Sequence, residues 1–482
     1  MGNKILVVGS GPSGLIALNE LSKNEKLDVY LIDNSNYKSM DKIDKNCIFK
    51  NKFIYGNRNS SLNSPIDNQH ALFQKNKLPN ISKSFGGFSN VWGGTVLPVS
   101  NDEQFYYSEL GINLEDEYKE LENYFFNTSS SIKNEIPNFL ETKYSRKALK
   151  KLNLLSLNNL YAEFSDIAFN KNLTKEILTN NEICKFCKSY KWYCSKDPIW
   201  SSKKDILKLL KNKNVKYLED TKLVKFNEGA TQVECLLKIK EKTNTKYFSK
   251  VILASGPIST SEIVINSGIV DEALLENSDL LSIPIIKVFN FQRNKTSFAD
   301  LFITFTNNKN NFFIQFYNYS RSLLHLGRDN VPLLKYLNFL PDLFFSCFGG
   351  VFLYIDSNLS SKLKISFNHN LNEFEYLPIN PKNKKLLNKS LKILFNNLKK
   401  VKILPFKFMI KNYYFGSSNH LGGQFPHSLI KQPNKTDIYG RLDGLERVFI
   451  VDSSVLPKVN TGPLTFTIMA NSKRICKKIL EF

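Results

Sequence analysis

Three glycines and one aspartate near the start of the chain have the types and spacing needed to bind a phosphate-bearing ligand. The glycines follow the pattern G-x-G-x-x-G, and the acid comes about 20 residues later. The first glycine allows a tight turn, the second lets the backbone approach a pyrophosphate, and the third lets helix and strand pack closely. The acid accepts hydrogen bonds from ribose hydroxyls. The predicted dinucleotide site comprises Gly9, Gly11, Pro12, Ser13, Gly14 and Asp33.

Three cysteines in the middle of the chain have spacing that could hold a metal. Cys184, Cys187 and Cys194 match the run C-x2-C-x2-C-x3-C of bacterial ferredoxins, except that Tyr190 takes the third place. Three thiolates hold zinc only with a fourth ligand. No histidine lies nearby in the sequence. We favour free thiols, with a metal site completed from elsewhere as the weaker alternative.

The elements that must position the glycines can be identified from the same stretch. Residues 5–8 form a short apolar run typical of a buried parallel strand, and Leu15, Leu18 and Leu21 recur at helical spacing. A second apolar run, residues 29–32, ends at the acid. A helix that starts at the glycines presents free N–H groups and the positive end of its dipole to phosphates. The strand–helix–strand pattern therefore supports dinucleotide binding without deciding between FAD and NAD.

Residues 82–94 are rich in glycine and small polar residues, which suit neither helix nor strand. A backbone of this kind can lie flat against a planar ligand. The residues predicted to contact such a ligand are Gly86, Gly87, Ser89, Asn90, Trp92 and Gly93.

This stretch resembles the glucose–methanol–choline (GMC) oxidoreductases, an FAD family with a Gly-Gly-x-Ser segment along the isoalloxazine ring. The pair Gly93-Gly94 after Trp92 is most similar to the pyranose-oxidase branch and to members associated with polysaccharides. In pyranose oxidases a histidine just before the tryptophan carries FAD covalently. That place is Val91 here, so the resemblance implies non-covalent FAD.

Residues 252–269 also resemble a GMC segment, which the family packs near the FAD phosphates. The resemblance places Gly256 beside the cofactor. The preceding residues 215–226 are predicted to form a strand of the FAD sheet, with Val224 close to the cofactor. Residues 231–238 and 245–253 are predicted to continue as strands.

The C-terminal part resembles the GMC closing signature in order and approximate spacing. In that family the histidine at the place of His420 faces flavin N5 and takes the hydroxyl proton, a role that suits an imidazole. The second catalytic position falls at Gly462-Pro463, which has no side-chain donor, so Asn460 is predicted to substitute. The resemblance also places Asp452 and Thr465 at the cofactor.

His427 follows a proline, and its role has two open interpretations. It is either a second active-site imidazole or part of a surface loop.

The predicted fold is α/β: an FAD-binding, Rossmann-like, doubly wound domain with an antiparallel β-sheet substrate domain of α+β type. The FAD-binding domain is expected in three parts, residues 1–101, 202–284 and 411–482. Residues 102–201 form a helical insertion with the cysteine-rich segment, and residues 285–410 form the substrate domain.

Composition limits the partners. The formal net charge is +22, and 42% of the residues are hydrophobic. A basic surface favours anionic partners, but no nucleic-acid-binding motif is visible, so nucleic acid is not expected. Peripheral contact with an anionic membrane or an anionic sugar carrier stays open. No apolar run predicts a transmembrane helix, and no secretory signal is visible. We expect a cytoplasmic protein, with the inner face of the membrane as the alternative.

The expected activity is FAD-dependent oxidation of a CH–OH group in a sugar or other alcohol, with a carrier-linked sugar of polysaccharide assembly as the favoured substrate. The electron acceptor is unknown. Two alternatives stay open: a flavoprotein that runs a non-oxidative or NAD(P)H-driven reaction, and a non-catalytic FAD-fold subunit of a glycan-assembly complex.

Overall fold

A computed structural model of the protein describes residues 3–35, 81–82, 84–90, 92–125, 143–154, 160–164, 166–168, 199–287, 299–318, 346–381, 383–412, 416 and 418–481. The cysteine triplet Cys184, Cys187 and Cys194 lies outside these residues, and so does Val91. The predictions about a metal site and about non-covalent attachment of the cofactor therefore stay predictions.

A five-stranded parallel sheet carries the glycine motif. Its strands, in spatial order, are β19 (Val448–Ile450), β8 (Lys250–Leu253), β1 (Asn3–Val8), β2 (Leu27–Ile32) and β4 (Val215–Leu218). All neighbouring pairs are parallel. The central strands are almost continuously apolar and buried, because helices and a second sheet cover both faces. The sheet matches the predicted doubly wound arrangement.

Helices pack around this sheet. The described helices are α1 (Pro12–Ser22), α2 (Asn101–Ser108), α3 (Glu115–Phe125), α4 (Lys143–Leu154), α5 (Ser202–Leu209), α6 (Pro257–Asn266), α7 (Lys384–Lys400) and α8 (Leu464–Ile479). Helix α1 packs on α8, and α8 packs on α3. The leucines that predicted α1 are completely buried in this contact layer.

A larger antiparallel sheet stands beside the parallel one. Its strands, in spatial order, are β16 (Ile403–Pro405), β10 (Leu280–Lys287), β13 (Phe348–Ile355), β12 (Asn310–Asn318), β11 (Leu301–Asn307) and β3 (Leu160–Phe164); β17 (Lys411–Asn412) also pairs with β10. Most of the aromatic side chains of β11 and β12 are buried, which agrees with the antiparallel sheet predicted within residues 285–410.

Two smaller antiparallel sheets complete the described strands. One contains β15 (Glu373–Ile379), β14 (Lys362–Asn368), β9 (Glu272–Asn277) and β18 (Leu421–Gly422). The other contains β5 (Thr221–Glu228), β6 (Val233–Ile239) and β7 (Lys242–Phe248).

The prediction of one strand over residues 215–226 was wrong. Asp220 has a left-handed backbone with φ of 51°, which turns the chain between β4 and β5. Strand β4 joins the parallel sheet and β5 joins the three-stranded sheet. A left-handed turn at an aspartate is compatible with local propensity, but the apolar pattern on either side concealed it.

Several strands pair across the domain boundaries expected from the sequence. Strand β3, in the expected helical insertion, pairs with β11 of the substrate sheet. The four-stranded sheet joins β9, β14 and β18 from three different expected segments. Non-local pairing of this kind ties the sheets into one scaffold around the cleft described below.

No helix in the described part of the chain is long and apolar enough to cross a membrane.

Candidate active site

A continuous cleft runs from the glycine motif to the antiparallel sheet. Its walls come from segments that are far apart in the sequence. They are residues 9–13, 33, 81–82, 84, 87–89, 92–93, 95, 254–259, 315, 354, 418–421, 452–453, 463–465 and 468. The parallel sheet therefore contributes one end of the cleft and the antiparallel sheet contributes Gln315 and Tyr354 at the other.

The three glycines of the motif serve different physical needs. Gly9 has φ of +105°, and a Cβ there would lie 2.5 Å from the carbonyl oxygen of Ala254. A Cβ on Gly14 would lie 1.9 Å from the carbonyl oxygen of Gly9, so this glycine permits the close packing of α1 on β1. A Cβ on Gly11 would meet nothing within 4 Å. The space beside Gly11 is therefore open for a ligand to approach the backbone.

Asp33 organises the end of the cleft nearest the motif. The backbone N–H and the hydroxyl of Ser10 donate to Asp33 Oδ2 at 2.8 and 2.6 Å. The hydroxyl of Ser35 donates to Oδ1 at 2.5 Å. Burial raises the pKa of Asp33, and the hydrogen bonds from Ser10 and Ser35 oppose that shift. Oδ1 accepts one hydrogen bond in the described structure and has capacity for another, as a ribose hydroxyl would require.

The glycine-rich loop is held against the motif by its own polar side chains. The N–H of Gly86 donates to Ser10 Oγ at 2.8 Å. Ser89 Oγ donates to the Gly86 carbonyl at 2.6 Å and accepts from the Ser202 N–H at 3.1 Å. Ser202 Oγ in turn donates to the Ser10 carbonyl at 2.9 Å. This network fixes the backbone of the loop beside the glycine motif.

Two other polar side chains of this loop also have structural roles. Asn90 Nδ2 donates to the Phe85 carbonyl at 2.8 Å, and Trp92 Nε1 donates to the Trp200 carbonyl at 2.8 Å. Asn90 does not line the cleft, whereas the ring of Trp92 does. The stretch predicted to lie flat contains a 3-10 helix (Gly87–Asn90). The sequence also could not distinguish the residues that shape this loop from those that face a ligand.

Three helices begin at the cleft wall. Gly11 precedes α1, Gly256 precedes α6 and Pro463 precedes α8, and none of these N-cap residues makes a side-chain cap among the described residues. First-turn N–H groups of an α-helix have no partner within the helix. Together with the helix dipole, three such ends facing one cleft favour a ligand that carries negative charge.

Asp452 links α6 to the end of β19. Its Oδ2 accepts from the Gly256 N–H at 2.9 Å and from Thr260 Oγ1 at 2.6 Å. Its Oδ1 accepts from the N–H and the hydroxyl of Ser454 at 2.9 and 2.5 Å. Burial raises the pKa of Asp452, and these hydrogen bonds oppose the shift. Both carboxylate oxygens are thus engaged in positioning the cleft wall.

His420 lies at the other end of the cleft, just before β18. Its ring stacks on Tyr354, with centroids 4.7 Å apart and planes 17° apart. Burial lowers the pKa of His420 to about 4, and a hydrogen bond with the backbone of Thr461 opposes the shift. Nδ1 is buried without a hydrogen-bond partner in the described part of the protein. An unsatisfied buried group costs about 1–3 kcal/mol, which makes it a candidate for a functional role.

Polar side chains from three elements surround His420. Asn419 adopts a left-handed backbone with φ of 57°, and its buried Oδ1 has no partner among the described residues. Gln315 Oε1 accepts from Tyr317 OH at 2.9 Å, and its Nε2 lies 3.5 Å from Thr95 Oγ1. This end of the cleft is lined by hydrogen-bonding groups, which suits a polar substrate.

Asn460 precedes Thr461, whose backbone contacts His420, but it does not line the cleft. It is 2% exposed, and its Oδ1 has no partner among the described residues. Thr461 also donates its N–H and hydroxyl to Glu103 Oε1 at 2.9 and 3.1 Å. Lys458 forms a buried ion pair with Asp356 at 2.8 Å. These contacts fix the loop behind the cleft.

His427 belongs neither to the cleft nor to a surface loop, so both alternatives were wrong. It is 4% exposed, and its Nδ1 lies 2.7 Å from the Asp437 carbonyl oxygen. Its Nε2 lies 3.1 Å from Asn471 Nδ2. Burial lowers the pKa of His427 to about 3. The ring therefore serves as a neutral connector between the C-terminal loop and α8.

Most of the residues predicted to bind the cofactor meet in the cleft. Those that line it are Gly9, Gly11, Pro12, Ser13, Asp33, Gly87, Ser89, Trp92, Gly93, Gly256, Asp452 and Thr465, together with the predicted catalytic His420. Those that do not line it are Gly14, Gly86, Asn90, Val224 and Asn460.

Val224 does not line the cleft, because β5 belongs to the three-stranded sheet and not to the parallel sheet. It lies at a β-bulge between Leu223 and Lys225, and its carbonyl accepts from Asn266 Nδ2 at 3.4 Å. The sequence did not identify Ser10, Thr95, Gln315, Tyr354 or Asn419 as lining residues. Ser10, Thr95 and Asn419 carried a signal, because each lies next to a residue of a recognised motif.

The residues present fit a dinucleotide. Open space beside Gly11, uncapped helix ends and a carboxylate at Asp33 provide for phosphates and a ribose. The glycine-rich loop also lines the cleft, and the buried unpartnered nitrogen of His420 provides for a reacting substrate at the far end. No group of metal-ligating side chains is found among the described residues.

Comparison with known proteins gives a fold but no family. No protein-family model and no curated protein sequence matches the chain. The structure of pyridoxine 4-oxidase from Mesorbium loti is similar, with a TM-score of 0.65, 10% sequence identity and 99% of each chain covered. An FAD-dependent oxidoreductase from Chaetomium thermophilum is similar with a TM-score of 0.61, 13% identity and 99% of each chain covered. At these identities the likeness establishes the shared fold.

Proposed function

We propose that the protein is an FAD-dependent oxidoreductase of the GMC type that oxidises a CH–OH group. The observation that carries the proposal is a single cleft with a dinucleotide motif at one end and a buried, partly unsatisfied imidazole, His420, at the other. The fold shared with a pyridoxine 4-oxidase and with an FAD-dependent oxidoreductase supports it. The motifs at residues 252–269 and 420–470 support the GMC assignment.

FAD accounts for the cleft better than NAD does. The glycine-rich loop adds a further backbone wall to the cleft, with Gly87, Trp92 and Gly93 lining it, beyond what the glycine motif alone provides. The fold is shared with an oxidoreductase that depends on FAD. We propose that the FAD is held non-covalently by the motif glycines, Asp33 and the N-terminal ends of α1, α6 and α8.

The chain's own residues would bind, orient and deprotonate the alcohol. FAD, when bound, supplies the hydride acceptor. His420 is neutral at neutral pH, because burial keeps its pKa near 4, so an imidazole nitrogen can take the hydroxyl proton. Stacking on Tyr354 fixes the plane of the ring. Asn419, beside His420, offers an unpartnered acceptor to the substrate.

We propose Asn460 as a second residue of the catalytic centre. Its unsatisfied Oδ1 is buried behind the cleft wall. The Glu103–Thr461 hydrogen bonds and the Lys458–Asp356 pair hold its loop in one conformation. The amide N–H of Asn460, and not its acceptor Oδ1, would stabilise developing negative charge, and such rigidity is what that role requires.

The substrate class we favour is a sugar or another polar alcohol, including a carrier-linked sugar of polysaccharide assembly. Polar groups of Thr95, Gln315 and Asn419 line the substrate end. We propose a cytoplasmic location, with the inner face of the membrane as the alternative. The expected domain division, with the FAD-binding domain in three parts and a separate substrate domain, is retained as a proposal.

The test is the substitution His420→Ala. The variant should keep bound FAD and lose reduction of the flavin by substrate by about a thousandfold, within the range for a general base. Anaerobic mixing with a panel of sugars and alcohols, followed by flavin absorbance, measures this. His369→Ala, an exposed histidine at the β14–β15 turn, is the matched control. Unchanged reduction in the His420 variant would remove it from the mechanism.

A further inference from the structure

One long segment of the chain has a charge pattern that the cleft does not explain. Between Glu375 and Asp437 the sequence has twelve lysines and no acidic residue. The whole chain has 44 acidic residues against 66 basic ones, so a uniform lysine bias would not produce this gap. Positive charge is therefore segregated into residues 376–436.

The structure brings part of this segment to one edge of the antiparallel sheet. Helix α7 is followed directly by β16, a 3-10 turn (Lys407–Met409) and β17. Strands β16 and β17 both pair with β10. Helix α7 buries Leu394, Phe395 and Leu398 in the core. Its exposed lysines are Lys384, Lys385, Lys389, Lys392, Lys399 and Lys400.

Apolar side chains are exposed within this basic region. Phe408, on the 3-10 turn, is 83% exposed, and Leu404, on β16, is 40% exposed. Phe408 packs against the edge of Phe406 with centroids 5.6 Å apart, and Phe406 stacks on Phe348 at 6.3 Å. The turn therefore projects Phe408 from an aromatic base. Lys407 Nζ lies 5.8 Å from the ring centre of Phe395 and links the turn to α7.

We propose that this surface, the Phe408 face, docks the protein on an anionic lipid membrane. The face comprises the exposed lysines of α7 together with Leu404, Lys407 and Phe408. Aromatic side chains inserted among headgroups, combined with lysines that attract anionic lipids, are the usual features of interfacial binding. Each lysine near such a surface contributes about a fivefold gain in binding.

Helix stabilisation and protection of the sheet edge account for only part of the face. Lysines at the C-terminal end of α7 complement the helix dipole, and charges on an edge strand prevent pairing with other chains. Neither effect requires a phenylalanine that is almost wholly exposed, because burying such a side chain is favourable. Single-stranded nucleic acid is bound in basic grooves with stacked aromatics. Phe408 instead stands on an exposed turn that follows the strand carrying the exposed Leu404.

Sedimentation of the full chain with vesicles tests the proposal. Vesicles contain phosphatidylcholine alone or with about 30% phosphatidylserine, which gives a strongly negative surface. The protein should bind the anionic vesicles, leave the neutral ones unbound, and dissociate as salt rises from about 0.1 to 0.5 M. Equal binding to both vesicle types, or binding to neither, would overturn the proposal.

Substitutions assign the binding to the face. The triple variant Lys399→Gln, Lys400→Gln, Lys407→Gln should bind about a hundredfold more weakly. Phe408→Ser should bind about tenfold more weakly.

The matched controls replace exposed residues on other elements. The triple control is Lys211→Gln, Lys225→Gln, Lys242→Gln, and Phe105→Ser, with Phe105 58% exposed on α2, is the aromatic control. Both controls should keep at least half of wild-type binding, and all variants should keep the wild-type melting temperature.

If the two triple-lysine variants lost vesicle binding to the same extent, net charge alone would explain the binding. That result would overturn the proposal that the Phe408 face is the docking surface. Binding to single-stranded RNA that survives Phe408→Ser, with no vesicle binding, would assign the face to nucleic acid and overturn the membrane proposal.

Discussion

Two buried histidines show how one residue type serves two purposes. Burial lowers the pKa of both His420 and His427. Both ring nitrogens of His427 have hydrogen-bond partners within the chain. Nδ1 of His420 has none among the described residues. Both histidines have a low pKa, so the pKa does not distinguish them. The unpartnered ring nitrogen is what marks His420 as the candidate base and His427 as a structural residue.

The pH dependence of flavin reduction should report the low pKa of His420. A general base must be unprotonated, and the folded pKa is about 4. The rate constant for reduction should therefore stay constant from about pH 8 to pH 5 and fall tenfold per pH unit below the pKa. Anaerobic stopped-flow measurement at each pH, with flavin fluorescence confirming retained cofactor, would check this. A loss centred near pH 6.5 would contradict it.

Replacing His427 should affect stability rather than chemistry. His427→Ala removes the hydrogen bonds to Asp437 and Asn471, at a cost of about 2–4 kcal/mol. Reduction per bound flavin should be unchanged. His369→Ala should change the melting temperature very little, because the residue is exposed.

The stability of His427→Ala should also depend on pH differently from that of the wild type. The folded pKa of about 3 lies below the ordinary 6.5, so the unfolded chain takes up the proton first. The stability that neutral His427 contributes is complete above pH 6.5 and is lost as the pH falls toward 3, by about 2 kcal/mol at pH 5. The wild type should therefore lose more melting temperature between pH 7 and pH 5 than His427→Ala does. An equal loss in both proteins would refute the assignment.

Individual site residues were predictable only where a motif fixed their spacing. Gly9, Gly11 and Asp33 belong to a pattern that local backbone geometry requires, and the structure places them in the cleft. Gln315 lies in β12, which is buried at every position, and Tyr354 lies in the alternating strand β13. Their sequence neighbourhood is the same as that of core residues, so only the packing of the two sheets identifies them.

At the scale of elements, the turn between β1 and α1 offers a paired test. A Cβ on Gly14 would overlap the Gly9 carbonyl oxygen at 1.9 Å, whereas a Cβ on Gly11 meets nothing within 4 Å. Gly14→Ala should destabilise the fold by more than about 3 kcal/mol. Gly11→Ala should cost less than about 1 kcal/mol but weaken FAD binding at least about tenfold. Melting curves and flavin titration separate the two. Equal stability of both variants would contradict this assignment of roles.

The junction between α2, the loop before α8 and the antiparallel sheet depends on a buried ion pair. Lys458 and Asp356 are 5% and 0% exposed. Lys458→Met leaves a buried carboxylate without its cation and should cost about 3–5 kcal/mol. Adding Asp356→Asn should recover part of the loss. Lys119→Met, in an exposed pair with Asp116 at 3.8 Å, should cost under about 0.5 kcal/mol. Thermal melting of the four proteins measures this, and similar losses at both pairs would be inconsistent with it.

Whether a segment forms a strand was easier to predict than which sheet that strand joins. An antiparallel sheet was expected within residues 285–410, and β11 to β14 are found there, with β12 buried on both faces and β14 alternating. The left-handed turn at Asp220 divided one predicted strand between two sheets. A single backbone angle decided this, and the aspartate side chain alone does not fix that angle.

At the scale of the whole molecule, the walls of the cleft come from segments that are far apart in the sequence. A ligand that fills the cleft contacts several of these segments at once. Removing FAD should therefore lower the melting temperature. A bound ligand at a hundred times its Kd stabilises a protein by about 2.7 kcal/mol. Scanning calorimetry of the stripped protein should show the loss, and restoration by FAD but not by NAD. Full recovery with NAD would contradict the choice of cofactor.

The overall architecture was predictable because the motifs that mark it occur at several places along the chain. The parallel sheet and the antiparallel sheet were both expected, and both are found. The pairing of β3 with β11 and of β18 with β9 was not expected. Pairings between distant segments depend on the packing of the complete molecule, which local sequence does not encode.

The order of strands in the parallel sheet has a consequence for biosynthesis. Strand β1 ends at Val8, while β19, which closes the edge beside β8, begins at Val448. A ribosome adding 5–20 residues per second needs roughly 20 to 90 s to span that interval. Once β8 (Lys250–Leu253) has been made, its unpaired edge and the apolar surface that will contact α8 stay exposed for the rest of that time. Nascent chains should therefore depend on chaperones until translation has passed α8, and slower elongation would lengthen the period in which they can aggregate.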